Sequence, residues 1–392
     1  MNKIQTDCWP TDHQKLLLKA CLFQGDDALS SWNQWKQGCD VQNLDKGSLR
    51  LLPLLYKNLR SLNIEDPLIN QFRAFYYQTW CHNRKILEDF SGILAFFTEH
   101  GIPTLLLKGA ALILQCYQDP GLRPIADVDM LIPYDRAMQS LHLLSERGWK
   151  PISDVKWSSI LSGISHSQAT HLTHNNHLEL DLHWHLLGDF IHTDAEKQFW
   201  QNAVPIDMNG MQTRILDPTD QLFHTFLHGH RWNSVPPVRW IADAVYIFRN
   251  TKMEIAWNRM IELTQRYHIT LRIKSALNYL LTEFNMPVPE LIIKKLNSCP
   301  VNKMEIHEYY SLINLPSKSV DLIGAIKKHY NRYKRLSINS HLSGRRLSFQ
   351  KYLIDQWNVK YPFLLPFYII YKFLKRIVLL GAGRGIDKIR TK

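Results

Sequence analysis

Residues 105–132 have the sequence LLLKGAALILQCYQDPGLRPIADVDMLI, and most of the fold prediction rests on them. The apolar run that ends at Leu107 follows a turn at Gly101, which predicts a short buried strand. The segment after Gly109 has the pattern of a helix start, and the loop behind it contains two prolines and a glycine. Residues 127–132 (DVDMLI) then form a second predicted strand. We therefore expect two strands joined by a short helix and a loop.

The second strand has one apolar face and one acidic face. Side chains alternate along a strand, so residues 128, 130 and 132 point one way while Asp127 and Asp129 point the other. Two carboxylates at this spacing lie about 7 Å apart at Cα. Such a pair can hold one or two Mg²⁺ ions, which prefer hard oxygen ligands and leave positions open for water and phosphate. On spacing alone, a solvated strand face or a helix cap is the commoner explanation.

A third carboxylate is expected from a later strand. Residues 177–186 (HLELDLHWHL) alternate apolar with polar side chains, and with residues 168–174 they predict a hairpin. The polar face carries Glu179, Asp181 and His183, and it can supply the third carboxylate of the predicted metal site. Histidines crowd this region, and we favour hydrogen bonds near the carboxylates over a transition-metal site for them.

The flanking sequence is predicted to be helical on both sides of these strands. Apolar residues recur at helical spacing over residues 12–100 and again beyond Asp217, where Asp-Pro begins a helix. The fold class is therefore α+β: a small mixed sheet with N-terminal and C-terminal helical regions. We divide the chain into four parts: a helical region 1–100, a catalytic domain 101–216, a covering helical domain 217–320, and a basic aromatic tail 321–392.

Composition excludes several classes of protein. A hydrophobic content of 45% with 21% charged residues is that of a globular chain. The six cysteines form no close pair, which argues against a disulfide scaffold, a CxxC redox site or a cysteine zinc site. The N-terminus has no apolar segment of the kind found in signal peptides. We expect a protein of the reducing cytoplasm.

The positive charge is concentrated at the C-terminus. The net charge is +12, yet residues 327–392 contain 16 Lys and Arg against two acids, so this segment carries +14 and the remainder −2. The apolar run 361–371 is too short to span a membrane, but its aromatic residues beside basic ones suit an anionic membrane surface. A helix packed on the body explains the pattern equally well. A nucleic-acid arm is disfavoured because no nucleic-acid-binding motif accompanies the charge.

The motifs together resemble a known family. The sequence is similar to the bacterial uncharacterised nucleotidyltransferases, over about residues 12–290. The shared motifs are Leu107-Lys108-Gly109, Arg123, Asp127-Val128-Asp129-Met130-Leu131, Leu180-Asp181-Leu182-His183-Trp184, His224 with His228, and Arg239-Trp240-Ile241-Ala242-Asp243. Each motif is unspecific alone, and their combination is specific.

The resemblance implies a nucleotidyltransferase fold and a set of site residues. Asp127, Asp129 and Asp181 would be catalytic and would bind Mg²⁺, with two ions possible. The nucleotide would contact Lys108, Gly109, Ala110 and Arg123, and Glu179, His183, His228 and Asp243 would line the pocket. Two departures concern the phosphate-binding loop. The Gly-Ser turn of the superfamily is Gly109-Ala110 here, and the spacer to Asp127 is longer than usual.

Two functions are compatible with this sequence. The first is Mg²⁺-dependent transfer of a nucleoside monophosphate from an NTP to a hydroxyl of a small molecule, sugar, peptide or protein, with release of pyrophosphate. The second is a catalytically silent, membrane-peripheral binding protein that retains the fold. The altered Gly-Ala turn and the basic aromatic tail motivate the second.

Overall fold

The computed structural model describes most of the chain between residues 7 and 314 and short parts of the C-terminal segment. The described residues are 7–152, 155–175, 178–188, 191, 196–251, 253–314, 329–330, 333–334, 348–357, 359–371 and 374. Most of the basic segment 327–392, including Lys327-Lys328 and Arg345-Arg346, lies outside this set.

In the described residues, five α-helices precede the first strand, as the periodicity predicts. They are α1 (Asp12–Leu22), α2 (Gly25–Gln37), α3 (Lys46–Leu49), α4 (Leu52–Ser61) and α5 (Pro67–Glu99). A capping box between Thr11 and Gln14 begins α1. The Asp66 side chain accepts from the Leu68 N–H and begins α5, with proline at the first helical position.

The central part of the chain forms a seven-stranded mixed sheet, which confirms the α+β prediction. Its strands are β1 (Leu105–Leu107), β2 (Val128–Leu131), β3 (Lys150–Pro151), β4 (Ala169–His174), β5 (Leu178–His183), β6 (Val204–Met208) and β7 (Met211–Ile215). The strand order is β3-β4-β5-β2-β1-β7-β6. Strand β2 pairs antiparallel with β1 and parallel with β5. Strand β7 pairs parallel with β1.

Within the part of the chain that the structure describes, four α-helices lie between these strands. They are α6 (Lys108–Leu112), α7 (Ala137–Glu146), α8 (Trp157–Gly163) and α9 (Lys197–Asn202). A π-helical turn over Ile113–Tyr117 continues α6.

The edge hairpin β6–β7 is not among the strands predicted from the sequence. Its turn is Asn209-Gly210, whose residues have φ of 53° and 84°. Asn-Gly suits the positive φ of a two-residue hairpin turn, so this dipeptide is the signal that could have identified the hairpin.

The sheet separates two hydrophobic cores, which explains the continuous apolar run in β1. Leu106, Val128 and Met130 face a core shared with the second half of α5 and with α7. Leu105, Leu107 and Leu131 face the larger core built with the N-terminal and C-terminal helices. Since β1 is buried on both faces, it contains no polar residue.

Helices again follow the last strand. They are α10 (Pro218–Gly229), α11 (Arg239–Asn250), α12 (Trp257–Arg266), α13 (Thr270–Phe284), α14 (Glu290–Ser298) and α15 (Lys303–Ile313). The Asp217 side chain accepts from the Asp220 N–H and begins α10, as the Asp-Pro pair predicts. Farther on, α16 (Phe349–Gln356) and residues 359–369 share a small separate core around Tyr352 and Leu365. None of the helices in the described residues is long and apolar enough to cross a bilayer.

His230, at the end of α10, is a buried histidine in an aromatic environment. Its ring centroid lies 4.5 Å from that of Trp9, 5.8 Å from that of Trp240 and 5.7 Å from that of Tyr309. Burial, followed by the nearby Arg272 cation, lowers the pKa of His230 to about 3. The folded protein therefore holds this ring neutral at pH values where the unfolded chain protonates it.

This depressed pKa predicts a loss of stability in acid. Above pH 6.5 neither the folded nor the unfolded state binds a proton at His230, so this group does not change the stability. Between pH 6.5 and about pH 3 only the unfolded state binds the proton, which lowers the free energy of unfolding. At pH 5 this costs about 2 kcal/mol. We expect His230→Phe to reduce the stability difference between pH 7 and pH 5 by about that amount, as measured by urea unfolding. The exposed His142→Phe is the control; an unchanged difference in His230→Phe contradicts the prediction.

Candidate active site

The pairing of β2 with β5 brings two acidic side chains together. The strands run parallel, and Asp129 is the register partner of Asp181. His183 lies two residues after Asp181, so it points to the same face. Its Nε2 is 3.0 Å from Asp181 Oδ2 and 3.3 Å from Asp129 Oδ1. Ligand atoms of these three residues all lie within 4.8 Å of one another, the spacing of a metal site.

Lys108 provides a positive charge beside this group. It is the first residue of α6, and its backbone is in the left-handed region, with φ of 46°. The Lys108 ammonium forms an ion pair with Asp129, and its Nζ lies 3.7 Å from Asp181 Oδ2. The position between the two carboxylates therefore attracts a cation.

Burial and charge act in opposite directions on this group. Burial alone raises the pKa of Asp129, but the Lys108 ammonium and the hydrogen bond with His183 hold it far below its usual value. Burial alone lowers the pKa of His183, yet its bonds with Asp129 and Asp181 leave it raised. The free protein thus stabilises an ionised Asp129 beside the Lys108 ammonium and the His183 ring.

Asp127 faces the same cavity as Asp129, as predicted, but it is not part of the Asp-Asp-His group. It directly precedes β2, and its side chain is 37% exposed. Its Oδ2 is 3.9 Å from His171 Nε2, and Glu179 Oε2 is 3.4 Å from the same atom. Burial, and then repulsion from Asp129, raise the pKa of Asp127. The sequence predicts three carboxylates in one cluster, whereas the structure joins Asp129 and Asp181 to a histidine.

A cavity of about 520 Å³ opens beside Asp129. Of the residues predicted from the sequence, eight line it: Lys108, Gly109, Arg123, Asp127, Asp129, Glu179, His228 and Asp243. Asp181 and His183 adjoin Asp129 without lining the cavity. The Ala110 side chain is buried in the core on the α5 side of the sheet. His185, one of the histidines that follow Asp181, bonds Glu196 through Nδ1 at 3.0 Å.

Arg123 and Asp243 form a buried ion pair in the wall of the cavity. Arg123 Nε and Nη2 donate to the two oxygens of Asp243 at 2.7 and 2.9 Å, and the Tyr117 hydroxyl donates at 2.8 Å. Gly109 is required beside this pair because a Cβ there would lie 2.6 Å from Arg123 Nη1 and 2.3 Å from Ile125 Cγ2. Lys108-Gly109 and Arg123, which are 14 residues apart in sequence, therefore pack directly together.

Several cavity residues were not assigned to the site from the sequence. They are Arg50, His171, Arg231 and Arg239. Arg239 begins the Trp-apolar-x-Asp helix, so its place in that motif was the available signal. Arg50 lies in the N-terminal helices, 58 positions before Lys108, and no local pattern marks it.

The donor set suits a hard divalent cation. Two carboxylates and an imidazole can coordinate Mg²⁺ or Mn²⁺, and the imidazole favours Mn²⁺ more than an all-oxygen set would. The Lys108 ammonium shows that the site already stabilises positive charge. The residues present therefore fit the divalent metal that nucleotidyl transfer generally uses.

The family model that describes the uncharacterised nucleotidyltransferases matches residues 48–282. The chain belongs to this family. The match contains both strands of the Asp-Asp-His group and the arginines of the cavity, and it confirms the resemblance seen in the motifs. As a member, the protein is a transferase of the nucleotidyltransferase type.

One solved structure with detectable similarity is an antigenic nucleotidyltransferase-like protein from Paracoccidioides brasiliensis. It is 16% identical, with a TM-score of 0.36, and the alignment covers 57% of this nucleotidyltransferase and 96% of that chain. No curated protein matches this nucleotidyltransferase.

The ion pair between Arg123 and Asp243 predicts a specific pattern of stability. Asp243→Leu leaves a buried guanidinium without its partner, so we expect a loss of about 3–5 kcal/mol in the free energy of unfolding. The double variant Arg123→Met/Asp243→Leu removes both charges and should recover most of that loss. Urea unfolding measures both. A double variant as unstable as Asp243→Leu would show that the pair is not what stabilises this wall.

Proposed function

We propose that this nucleotidyltransferase transfers a nucleoside monophosphate from an NTP to a hydroxyl group, with Mg²⁺ or Mn²⁺ as cofactor. The observation that carries the proposal is the parallel register of Asp129 with Asp181, completed by His183, at the wall of a cation-rich cavity. The family assignment supports the reaction class.

The reaction requires an acceptor hydroxyl, the NTP, a proton acceptor and a divalent cation to be positioned in the cavity. An acceptor hydroxyl oxygen forms a bond to the α-phosphorus, the bond from that phosphorus to the β-bridging oxygen breaks, and pyrophosphate leaves with the electron pair. The hydroxyl proton passes to a carboxylate or to water. A divalent cation, when bound, neutralises charge on the attacking and leaving oxygens.

The chain's own residues orient the reactants. Asp129, Asp181 and His183 would hold one cation, and Asp127, nearer the solvent, would contact a second. With Asp129 and Asp181 engaged in holding a cation, the Lys108 ammonium would be free to turn toward a phosphate oxygen. The backbone around Gly109 lies at the start of α6, where N–H groups can approach a phosphate. The acceptor hydroxyl can belong to a small molecule, a sugar, a peptide or a protein.

The metal-binding group predicts which variants lose activity. With an α-³²P-labelled NTP and Mg²⁺ or Mn²⁺, we expect release of pyrophosphate, measured by enzyme-coupled assay, and label transfer to an acceptor in a cell extract. Asp129→Asn and Asp181→Asn should each lower the rate by roughly 10²–10³-fold, since the cation supplies several kcal/mol of charge stabilisation. Both variants should also bind Mn²⁺ more weakly, as measured by electron paramagnetic resonance.

The matched control is Asp135→Asn, because Asp135 is exposed and lies just beyond β2. It should retain the activity and the Mn²⁺ affinity of the parent protein. Full turnover in both Asp129→Asn and Asp181→Asn would refute the proposal. Loss of turnover with undiminished Mn²⁺ binding would place the metal elsewhere.

A second property, association with a membrane surface, is supported by a separate observation. Within the described residues, a segment near the C-terminus exposes large apolar side chains at helical spacing: Tyr361, Phe363, Phe367, Ile370, Tyr371 and Leu374. Phe363 is 71% exposed and Phe367 67%, while Leu365 packs into the small core with α16. One side of the segment is therefore anchored and the other is free. With the basic charge of residues 327–392, this patch suits an anionic bilayer. Because the Asp-Asp-His group suits metal-dependent catalysis, it favours a membrane-peripheral enzyme over the catalytically silent binding protein.

The patch predicts binding to anionic vesicles. We expect the full-length protein to sediment with phosphatidylglycerol vesicles and not with pure phosphatidylcholine. Phe363→Ser and Phe367→Ser should each weaken binding by about 10-fold or more, because each removes a large apolar side chain from the bilayer. Tyr310→Ser, at a 56% exposed aromatic on α15, is the control. Equal sedimentation of all four proteins would exclude this patch as the contact.

A further inference from the structure

The cavity contains more positive charge than its acidic residues neutralise. Five of its lining residues are Lys or Arg: Arg50, Lys108, Arg123, Arg231 and Arg239. Arg123 forms an ion pair with Asp243, and Lys108 forms one with Asp129. For Arg50, Arg231 and Arg239, hereafter the arginine cluster, the described residues offer no carboxylate within ion-pair distance. Since four carboxylates also line the cavity, its positive excess is small overall and is concentrated at these three guanidinium groups, where it attracts anions.

The arginine cluster comes from the helical layer, whereas three of the four acidic lining residues come from the sheet; the fourth, Asp243 on α11, is bonded to Arg123. Arg50 follows α3, Arg231 follows α10 and Arg239 begins α11. Asp127, Asp129 and Glu179 belong to β2 and β5 or directly precede them. The cavity thus has an acidic wall that suits a cation and a basic wall that suits an anion.

The basic wall is held in place by close contacts. A Cβ at Gly47 would lie 2.5 Å from the Pro236 carbonyl oxygen, so the start of α3 packs directly on the loop between α10 and α11. This contact brings Arg50 to the loop that carries Arg231. Arg239 Nη1 donates to the Pro124 carbonyl oxygen at 2.6 Å, which fixes its guanidinium beside the entry to β2.

Two further observations indicate a missing polar ligand. His224 is 1% exposed and lines the cavity, yet its Nε2 has no hydrogen-bond partner in the described part of the chain. A buried polar nitrogen without a partner is costly unless a ligand or water satisfies it. Burial, followed by repulsion from Arg123, lowers the pKa of Arg239 to about 9. A bound anion would relieve that repulsion.

We propose that the arginine cluster is a phosphate-binding subsite, formed by residues other than Lys108 and Gly109, to which the proposed function assigns the nucleotide. Guanidinium groups bind phosphate oxygens in a bidentate manner, which suits three arginines on one wall. The phosphate belongs either to the polyphosphate of the NTP or to a phosphorylated acceptor. Its use in catalysis rests on the proposed function, whereas phosphate binding itself does not.

The test is calorimetric titration of the full-length protein in excess EDTA, so that no divalent cation contributes. The probes are inorganic pyrophosphate, ATP and glucose 1-phosphate. We expect Arg50→Ala and Arg239→Met each to weaken binding of at least one probe by about 10- to 100-fold, since a hydrogen bond to a charged group has about this effect. Arg239→Lys should recover part of the affinity, because it keeps the charge and loses the bidentate geometry. Arg60→Ala, at an exposed arginine on α4, is the matched control.

The three probes distinguish the source of the phosphate. Weaker binding of pyrophosphate and ATP in the cluster variants assigns the subsite to the NTP polyphosphate. Weaker binding of glucose 1-phosphate alone assigns it to a phosphorylated acceptor. Absence of binding by the parent protein, or cluster variants that match Arg60→Ala with every probe, overturns the proposal. Circular dichroism of each variant establishes that the fold is intact.

One more variant separates this inference from the proposed function. Asp129→Asn removes a metal ligand and lies on the acidic wall, so in EDTA it should still bind the probe that the arginine cluster recognises. Phosphate binding by a protein that never transfers a nucleotide would refute the proposed function and leave the subsite standing. Nucleotide transfer by cluster variants whose affinity for all three probes is undiminished would refute the subsite and leave the proposed function standing.

Discussion

The parallel pairing of β2 with β5 is the constraint on which the site depends. It places Asp129 directly opposite Asp181 and lets His183 contact both. A shift of one residue in this register would turn one of the two carboxylates to the other face of the sheet, among apolar side chains. The apolar residues between the acidic ones prevent that shift, because Val128 and Met130 are completely buried. Packing of the core therefore determines the geometry of the chemistry.

Local sequence patterns were sufficient to predict the strands that carry the acidic residues and most of the helices around them. Alternation in DVDMLI and in HLELDLHWHL predicts which side chains share a face, and the structure confirms this for Asp129 and Asp181. The parallel direction of the pair was not predictable, since it depends on the path of the chain through β3 and β4. The hairpin β6–β7 was missed although Asn209-Gly210 marks its turn.

The cavity was harder to predict than the acidic pair because its walls come from distant parts of the sequence. Arg50 reaches it only because Gly47 packs on Pro236, a contact between residues 189 positions apart. Arg123 was expected to contact nucleotide, and the structure shows it bonded to Asp243 on α11. Periodicity and motif spacing describe single elements, whereas such contacts depend on how the helical layers pack against the sheet. The roles of the predicted residues remain proposals.

The position of Lys108 has a consequence for how the protein matures. Two buried carboxylates side by side would repel each other in a newly made chain, and many metalloproteins fold only after an ion has joined such ligands. Here the Lys108 ammonium and the His183 ring already compensate the acids. The polypeptide can thus reach its native state without a bound ion, and a metal ion that binds at this group would not be needed for folding.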